Sequence, residues 1–238
     1  AKIESSYNTD SNPTGSSDYV EVVDLEVEPL ASDEVEIETI RPYAGNYPRL
    51  LANTRVNLSF GVFMVGSGSA GTSPKYDSIL KSCGLSANTV TSTSVTYTPS
   101  TLATQDSCTL HVNYDGVLHK ITGARGTFSI VCNVNEIPRI NFEMQGIFVA
   151  PTDTALPTVD KTLQPDGILF KNGNTSSFSV HGFSAALQSW ELDFANEVIY
   201  RELVGGTKEA LITDRRPSGT MVVEAVALSD KNFFTTAT

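Results

Sequence analysis

Val23-Asp24-Leu25-Glu26-Val27-Glu28 alternates without a break, and Glu34-Val35-Glu36-Ile37-Glu38 repeats the pattern a short way downstream. Side chains on a strand point alternately to opposite faces, so a period of two marks a half-buried strand. Each run is expected to hide its aliphatic residues and present a row of carboxylates. The rows are Asp24, Glu26 and Glu28, then Glu34, Glu36 and Glu38. Pro29 and Ser32-Asp33 supply the turn between two strands expected over 19–28 and 33–40.

These runs carry the charge of the whole chain. Residues 1–40 hold eleven acids and one base, a net −10 out of −11. The rest balance, sixteen acids against fifteen bases (27 less 11, and 16 less 1). Concentrated negative charge of this kind repels polyanions, so a nucleic-acid-binding role, which needs a basic footprint, is excluded. Asp214-Arg215-Arg216-Pro217 is the one tight basic pair. Its arginines are expected to pair with acids, across a subunit boundary if the protein assembles.

Outward from these runs the chain keeps reading as β. Thr, Ser, Val and Gly are abundant, and long helix-forming stretches are missing. Alternation resumes over 54–65. Strands are expected at about 91–98, 108–114, 117–122, 125–134 and 138–149. Further ones are expected at about 167–171, 176–182, 185–194, 198–204, 209–213 and 219–226. Asp115-Gly116 lies between two alternating runs and predicts a tight hairpin. One helix is expected over Ser73–Gly84, with Ser73 as cap, Pro74 in the first turn and Gly84 as the stop. Its stripe is Tyr76, Ile79, Leu80 and Cys83. The fold class is therefore mainly β, a β-sandwich or barrel of two packed sheets with one short flanking helix, extended loops and terminal arms. Three parts are expected: a flexible arm over 1–18, a single domain over 19–228 and a tail over 229–238. No apolar run is long enough for a membrane helix, and no secretion signal is expected.

Catalytic patterns are sparse. Gly66-Ser67-Gly68-Ser69-Ala70-Gly71 has the spacing of a dinucleotide loop. The strand before it alternates, however, the helix cap lies past the third glycine, and no acid follows at the right distance. It reads as a connector. His111, His119 and His181 show no metal-ligand spacing, and no hydrolase elbow or zinc-protease motif occurs. Cys83, Cys108 and Cys132, odd in number, read as free thiols in a reducing compartment. The reading is of a protein that is not an enzyme and takes no cofactor and no metal.

Several stretches in order resemble a family of phage tail tube proteins, the major tail proteins of long-tailed bacteriophages. They are Leu58-Ser59-Phe60, the run Gly66 to Pro74, Ile79 to Gly84, and Ser94-Val95-Thr96-Tyr97-Thr98-Pro99. Asp115 to Gly126, Ile137 to Phe142, Gly146, Ala150-Pro151-Thr152-Asp153 and Ile212 to Gly219 complete the set, which spans about 55–225. The resemblance implies a structural virion protein assembled in the host bacterial cytoplasm. Six copies would form a ring, strands from all six would join an inner barrel, and rings would stack head-to-tail into a tube that conducts DNA. Other tail proteins would meet the tube ends. The acidic strands lie outside the resemblance. On physical grounds Asp24, Glu26, Glu28, Glu34, Glu36 and Glu38 are expected to face the lumen, where they would keep DNA from adhering. Inter-subunit contacts are expected from Tyr43, Tyr47, Arg215, Arg216, Phe233 and Phe234. The alternatives are a tube of a related injection device, a tailocin or type VI secretion system, and a carbohydrate-binding β-sandwich around Trp190.

Overall fold

Asp115 (φ 43°) and Gly116 (φ 87°) both take positive φ, the geometry of the tightest hairpin turn. They join β6 (Cys108–Tyr114) to β7 (Val117–Asn133). In the computed structural model, which describes residues 1–175 and 178–236 (the side chains of residues 234 and 236 excepted), 47% of the chain is strand and 3% helix. The architecture is mainly β, as the alternation demands.

One nine-stranded antiparallel sheet dominates. Its main path runs β1 (Lys2–Ile3), β6, β7, β8 (Arg139–Phe148), β3 (Arg49–Phe63), β2 (Val23–Glu36). β7 is long enough to hold two neighbours on one side. Its first half pairs with β6 and its second half with β10 (Leu187–Asp193), which pairs in turn with β13 (Ser218–Val223). β9 (Thr152–Asp153) adds a short pairing at the start of β7. Two hairpins stand apart, β4 (Leu85–Val90) with β5 (Ser94–Pro99), and β11 (Asn196–Arg201) with β12 (Glu209–Arg215). The sheets do not close into a barrel.

The ladder fixes the core. Leu58 lies beside Met144, and Phe60 beside Phe142 beside Phe128. This face is covered by α1 (Asp77–Ser82) and by Leu85, Tyr97 and Phe194. Phe194 stacks on Phe128 at 4.6 Å. Tyr76, Ile79, Leu80 and Cys83 are buried, the stripe read from the sequence. The helix is shorter than Ser73–Gly84: it runs Asp77–Ser82 with Tyr76, not Ser73, at the N-cap and no side-chain cap bond, and Gly84 (φ 80°) follows its end as expected. All three cysteines are free and buried.

Several expectations change. The two acidic strands are one strand, β2, with no turn at Pro29; irregular register absorbs the proline instead. The strands expected at 117–122 and 125–134 are one strand bent at Gly123 (φ 59°). The strand expected at about 91–98 is β5, the second arm of a hairpin whose first arm, β4, was not expected. Residues 167–171 are not strand. Of the run 176–182, Ser176 and Ser177 lie outside the described residues, and the rest makes only a bridge from Val180 to Phe183.

Residues 1–18, expected as a flexible arm, are docked. β1 pairs with β6, and Glu4 is buried beside it. The Glu4 carboxylate accepts bonds from Asn8 N (2.8 Å), Ser107 Oγ (2.6 Å), Thr109 Oγ1 (2.9 Å) and Gly123 N (2.8 Å). A buried carboxylate is tolerated only when hydrogen-bonded in this way. Tyr7 lies under the Arg125 guanidinium at 4.6 Å and accepts from Ala210 N; burial pushes its hydroxyl up to about 12. Arg125 itself is buried and donates to the carbonyls of Ala210, Gln105 and Asp106. Thus the arm, β7, β12 and the 100–107 loop are stitched at one point.

Candidate functional site: the polar face of the main sheet

The strand order places a second, polar row opposite the aromatic one. Glu26 lies beside Ser59, Ser59 beside Glu143, and Glu143 beside Thr127. One step along, Glu28 lies beside Asn57 and Asn57 beside Gln145. These residues alternate with Val27, Leu58 and Met144, which turn to the core, so the period of two seen in β2 runs across three more strands. Together they line a cleft of about 550 Å³, bordered at its far side by Asn196 and Val198 of β11. A second cleft of about 310 Å³ shares Thr127, Glu143 and Asn196 and adds Ser129, Asn141 and Asp193. The two form one trough with four carboxylates, Glu26, Glu28, Glu143 and Asp193, and among the described residues no basic side chain lines it.

The six acids singled out from the sequence separate here. All six are exposed. Asp24 (φ 52°) sits at a register shift and pairs with Arg139 at 2.8 Å on the rim of the trough. Glu26 makes no ion pair among the described residues, and Glu28 accepts from Asn57 Nδ2 at 2.8 Å. Glu34 and Glu36 share Arg49, at 2.5 and 2.6 Å, and the two carboxylates push that guanidinium's pKa up. Asp33 is held below the usual carboxylate range by the Asn53 amide and by Arg55.

The second run does not share a face with the first. Between Glu28 and Ala31 the extra residue is on β2; between Ala31 and Asp33 it is on β3, at Asn53 (φ 51°). Alternation counted through both shifts sends Glu34 and Glu36 to the other side of the ribbon. Nor does that run hide its aliphatics: Val35 is 53% and Ile37 38% exposed. Charge counting along the sequence missed two things. Arg49, Arg55 and Arg139 neutralise part of the row from neighbouring strands. Glu143 and Asp193 join it from far away in the chain. Only the strand pairing reveals either.

The proposed contact residues also separate. Tyr43 is 67% exposed at the tip of the β2–β3 ribbon, where Ile40, Leu50 and Leu51 are exposed too. Tyr47 lies under Arg41 at 5.0 Å. Arg216 is exposed and pairs with Asp214 at 2.8 Å. Arg215 departs from the expectation of an acid partner: among the described residues it makes no ion pair, and its guanidinium turns inward. It donates to Asn196 Oδ1 (2.9 Å), Gly84 O (2.9 Å) and Ser100 O (3.3 Å), and lies 4.5 Å over the Phe194 ring. The planar guanidinium satisfies several acceptors at once, which is why a half-buried polar junction selects arginine. Phe233 packs edge-on against Phe183 at 6.1 Å. The Phe234 side chain lies outside the described residues. Trp190 is half-buried, between Cys132 and Met221 in the ladder.

Chemically, the trough offers carboxylates and neutral amides and hydroxyls. The glycine loop over 66–71 is occupied by its own chain: Ser67 Oγ donates to Ser69 O and Thr72 O, and Gly71 is pressed against the β4–β5 turn at Ser92. His111 pairs with Asp10 at 3.2 Å, and His119 packs on Tyr114. Among the described residues no three His, Cys, Asp or Glu side chains come together as a metal site. No helix among them is long and apolar enough to cross a membrane. Set against models of known protein families and against curated proteins, the sequence matches none.

Proposed function

We propose that this protein is a structural subunit that polymerises head-to-tail into rings and tubes, as a phage tail tube protein does, with the polar face of its main sheet lining a bore through which DNA passes. The observation that carries this reading is a pair of free edges. The strands β2, β3, β8, β7, β10 and β13 form one antiparallel path whose two ends have no further partner among the described residues. Six alternating strands make the end strands run in opposite directions. A copy rotated about an axis along the strands therefore brings its β13 antiparallel to the first copy's β2. Such a contact is heterologous, and it closes into a ring when the rotation per copy divides a full turn.

The two edges are chemically unlike. β2 carries Asp24, Glu26, Glu28, Asp33, Glu34 and Glu36, so two β2 edges repel one another. β13, Ser218-Gly219-Thr220-Met221-Val222-Val223, has neither charge nor proline and is almost wholly exposed. An uncharged, β-branched edge of this kind invites a partner strand. In such a ring the bore-lining acids are Asp24, Glu26, Glu28, Glu143 and Asp193. Glu34, Glu36 and Glu38 continue along the ribbon toward the next ring with Tyr43 and Tyr47. Repulsion would act within about 8 Å of the wall at physiological ionic strength. It prevents adhesion and does no pushing. The order of motifs described above supports the same reading.

Negative-stain microscopy of the purified protein tests it. Rings and tubes are expected, and Met221→Lys should give folded monomers without them. A wild-type protein that stays monomeric at high concentration would overturn the proposal.

A further inference from the structure

Asn172-Gly173 is the one Asn-Gly step among the fourteen asparagines. It forms the apex of a tight turn: Asn174 N and Thr175 N both donate to Lys171 O at 3.1 Å, and Gly173 takes φ 94°. Residues 171–175 are all exposed. The loop is anchored just before the turn, where Phe170 N donates to Glu136 O (2.8 Å) and Asn135 N to Phe170 O (2.9 Å). The apex is thus presented to water on a fixed base.

We propose that Asn172 is a site of spontaneous, intramolecular deamidation that installs an isoaspartyl link and a new carboxylate in this loop. The Gly173 backbone nitrogen attacks Asn172 Cγ. The bond from Cγ to the side-chain nitrogen breaks, and ammonia leaves with the proton that Gly173 gives up. The resulting succinimide takes up one water at either carbonyl and opens to aspartate or isoaspartate. One water is consumed and one ammonia released, with no oxidant or reductant. Glycine is required because it has no Cβ to shield its nitrogen. Every other asparagine precedes a residue with a side chain, or Pro13, which has no N–H. Several of them are also held by their amides: Asn53 on Asp33, Asn57 on Glu28, Asn133 on Glu136, Asn174 on the Leu169 carbonyl, and Asn196 on the carbonyls of Cys83 and Gly126.

The test incubates the full-length protein at mildly alkaline pH in water enriched in heavy oxygen. Chymotryptic peptides are then weighed, and isoaspartate is detected with isoaspartyl methyltransferase. Asn172 should convert before the other thirteen asparagines change, with heavy oxygen in the product and isoaspartate as its larger part. Asn172→Gln, folded by circular dichroism, should lose the methylation signal. Conversion at Asn172 no faster than elsewhere, or aspartate without isoaspartate, would overturn the proposal.

Discussion

Glu4→Gln changes one atom of the docked arm and tests whether its buried carboxylate holds the arm in place. The glutamine Oε1 can keep the bonds from Thr109 Oγ1 and Gly123 N. Its Nε2 is then forced toward Asn8 N, donor against donor, while the Ser107 hydroxyl can turn to accept. One bond to a charged acceptor is lost, about 1.5–3 kcal/mol, and the others weaken toward the neutral value of about 1 kcal/mol each. Relief from burying a charge offsets part of this. The net loss is about 2–4 kcal/mol, a fall in Tm of roughly 4–16 °C for a chain of this size. Urea and thermal unfolding followed by circular dichroism measure it, and limited proteolysis should release residues 1–18 first. A variant within about 0.5 kcal/mol of wild type, the level of an ordinary surface change, would refute a structural role for Glu4.

Arg215→Met should destabilise the monomer by about 1–3 kcal/mol, since it strands the acceptor Asn196 Oδ1, while Gly84 O keeps its bond from Ser100 N; unchanged unfolding combined with lost assembly would return Arg215 to an interface. Burial opposes ionisation of Asp10, but Asn12 N, Lys120 and His111 outweigh it and hold its carboxyl below the usual range. The stability it contributes is therefore present above about pH 4 and lost as the pH falls through the folded value, so protease sensitivity of the arm should rise only under acid. Burial pushes the Cys83 thiol up, and that of Cys108 to about 11. Native protein should leave both unmodified by thiol reagents at neutral pH, and denaturant should expose all three cysteines; rapid native labelling of Cys83 or Cys108 would contradict their packing. Replacing Glu26 and Glu143 together with lysine should give assemblies that retain duplex DNA at low salt and release it at high salt, as counterion release requires.

Much of this protein is legible along the chain because strand burial has a period of two. That period gave the mainly β class, the Asp115-Gly116 hairpin, most of the later strands and the buried stripe of α1, all from neighbours in sequence. The glycine stop at Gly84 was equally local, since only a residue without Cβ takes that φ easily. Pairing partners are not local. Asp24 meets Arg139, and Glu26 lines a trough with Glu143 and Asp193, because β3, β8 and β10 bring distant residues within reach. The extra residue on β2 between Glu28 and Ala31, invisible in the alternation itself, turns Glu34 and Glu36 away from Glu26 and Glu28. The arm read as flexible from its polar composition, yet four donors from separate segments converge on Glu4. Arginine charge suggested a surface role for Arg215 that its inward packing reverses. Sequence spacing set which residues alternate; the tertiary structure decided which charges meet, because electrostatic and hydrogen-bonded contacts depend on distance in space and not along the chain.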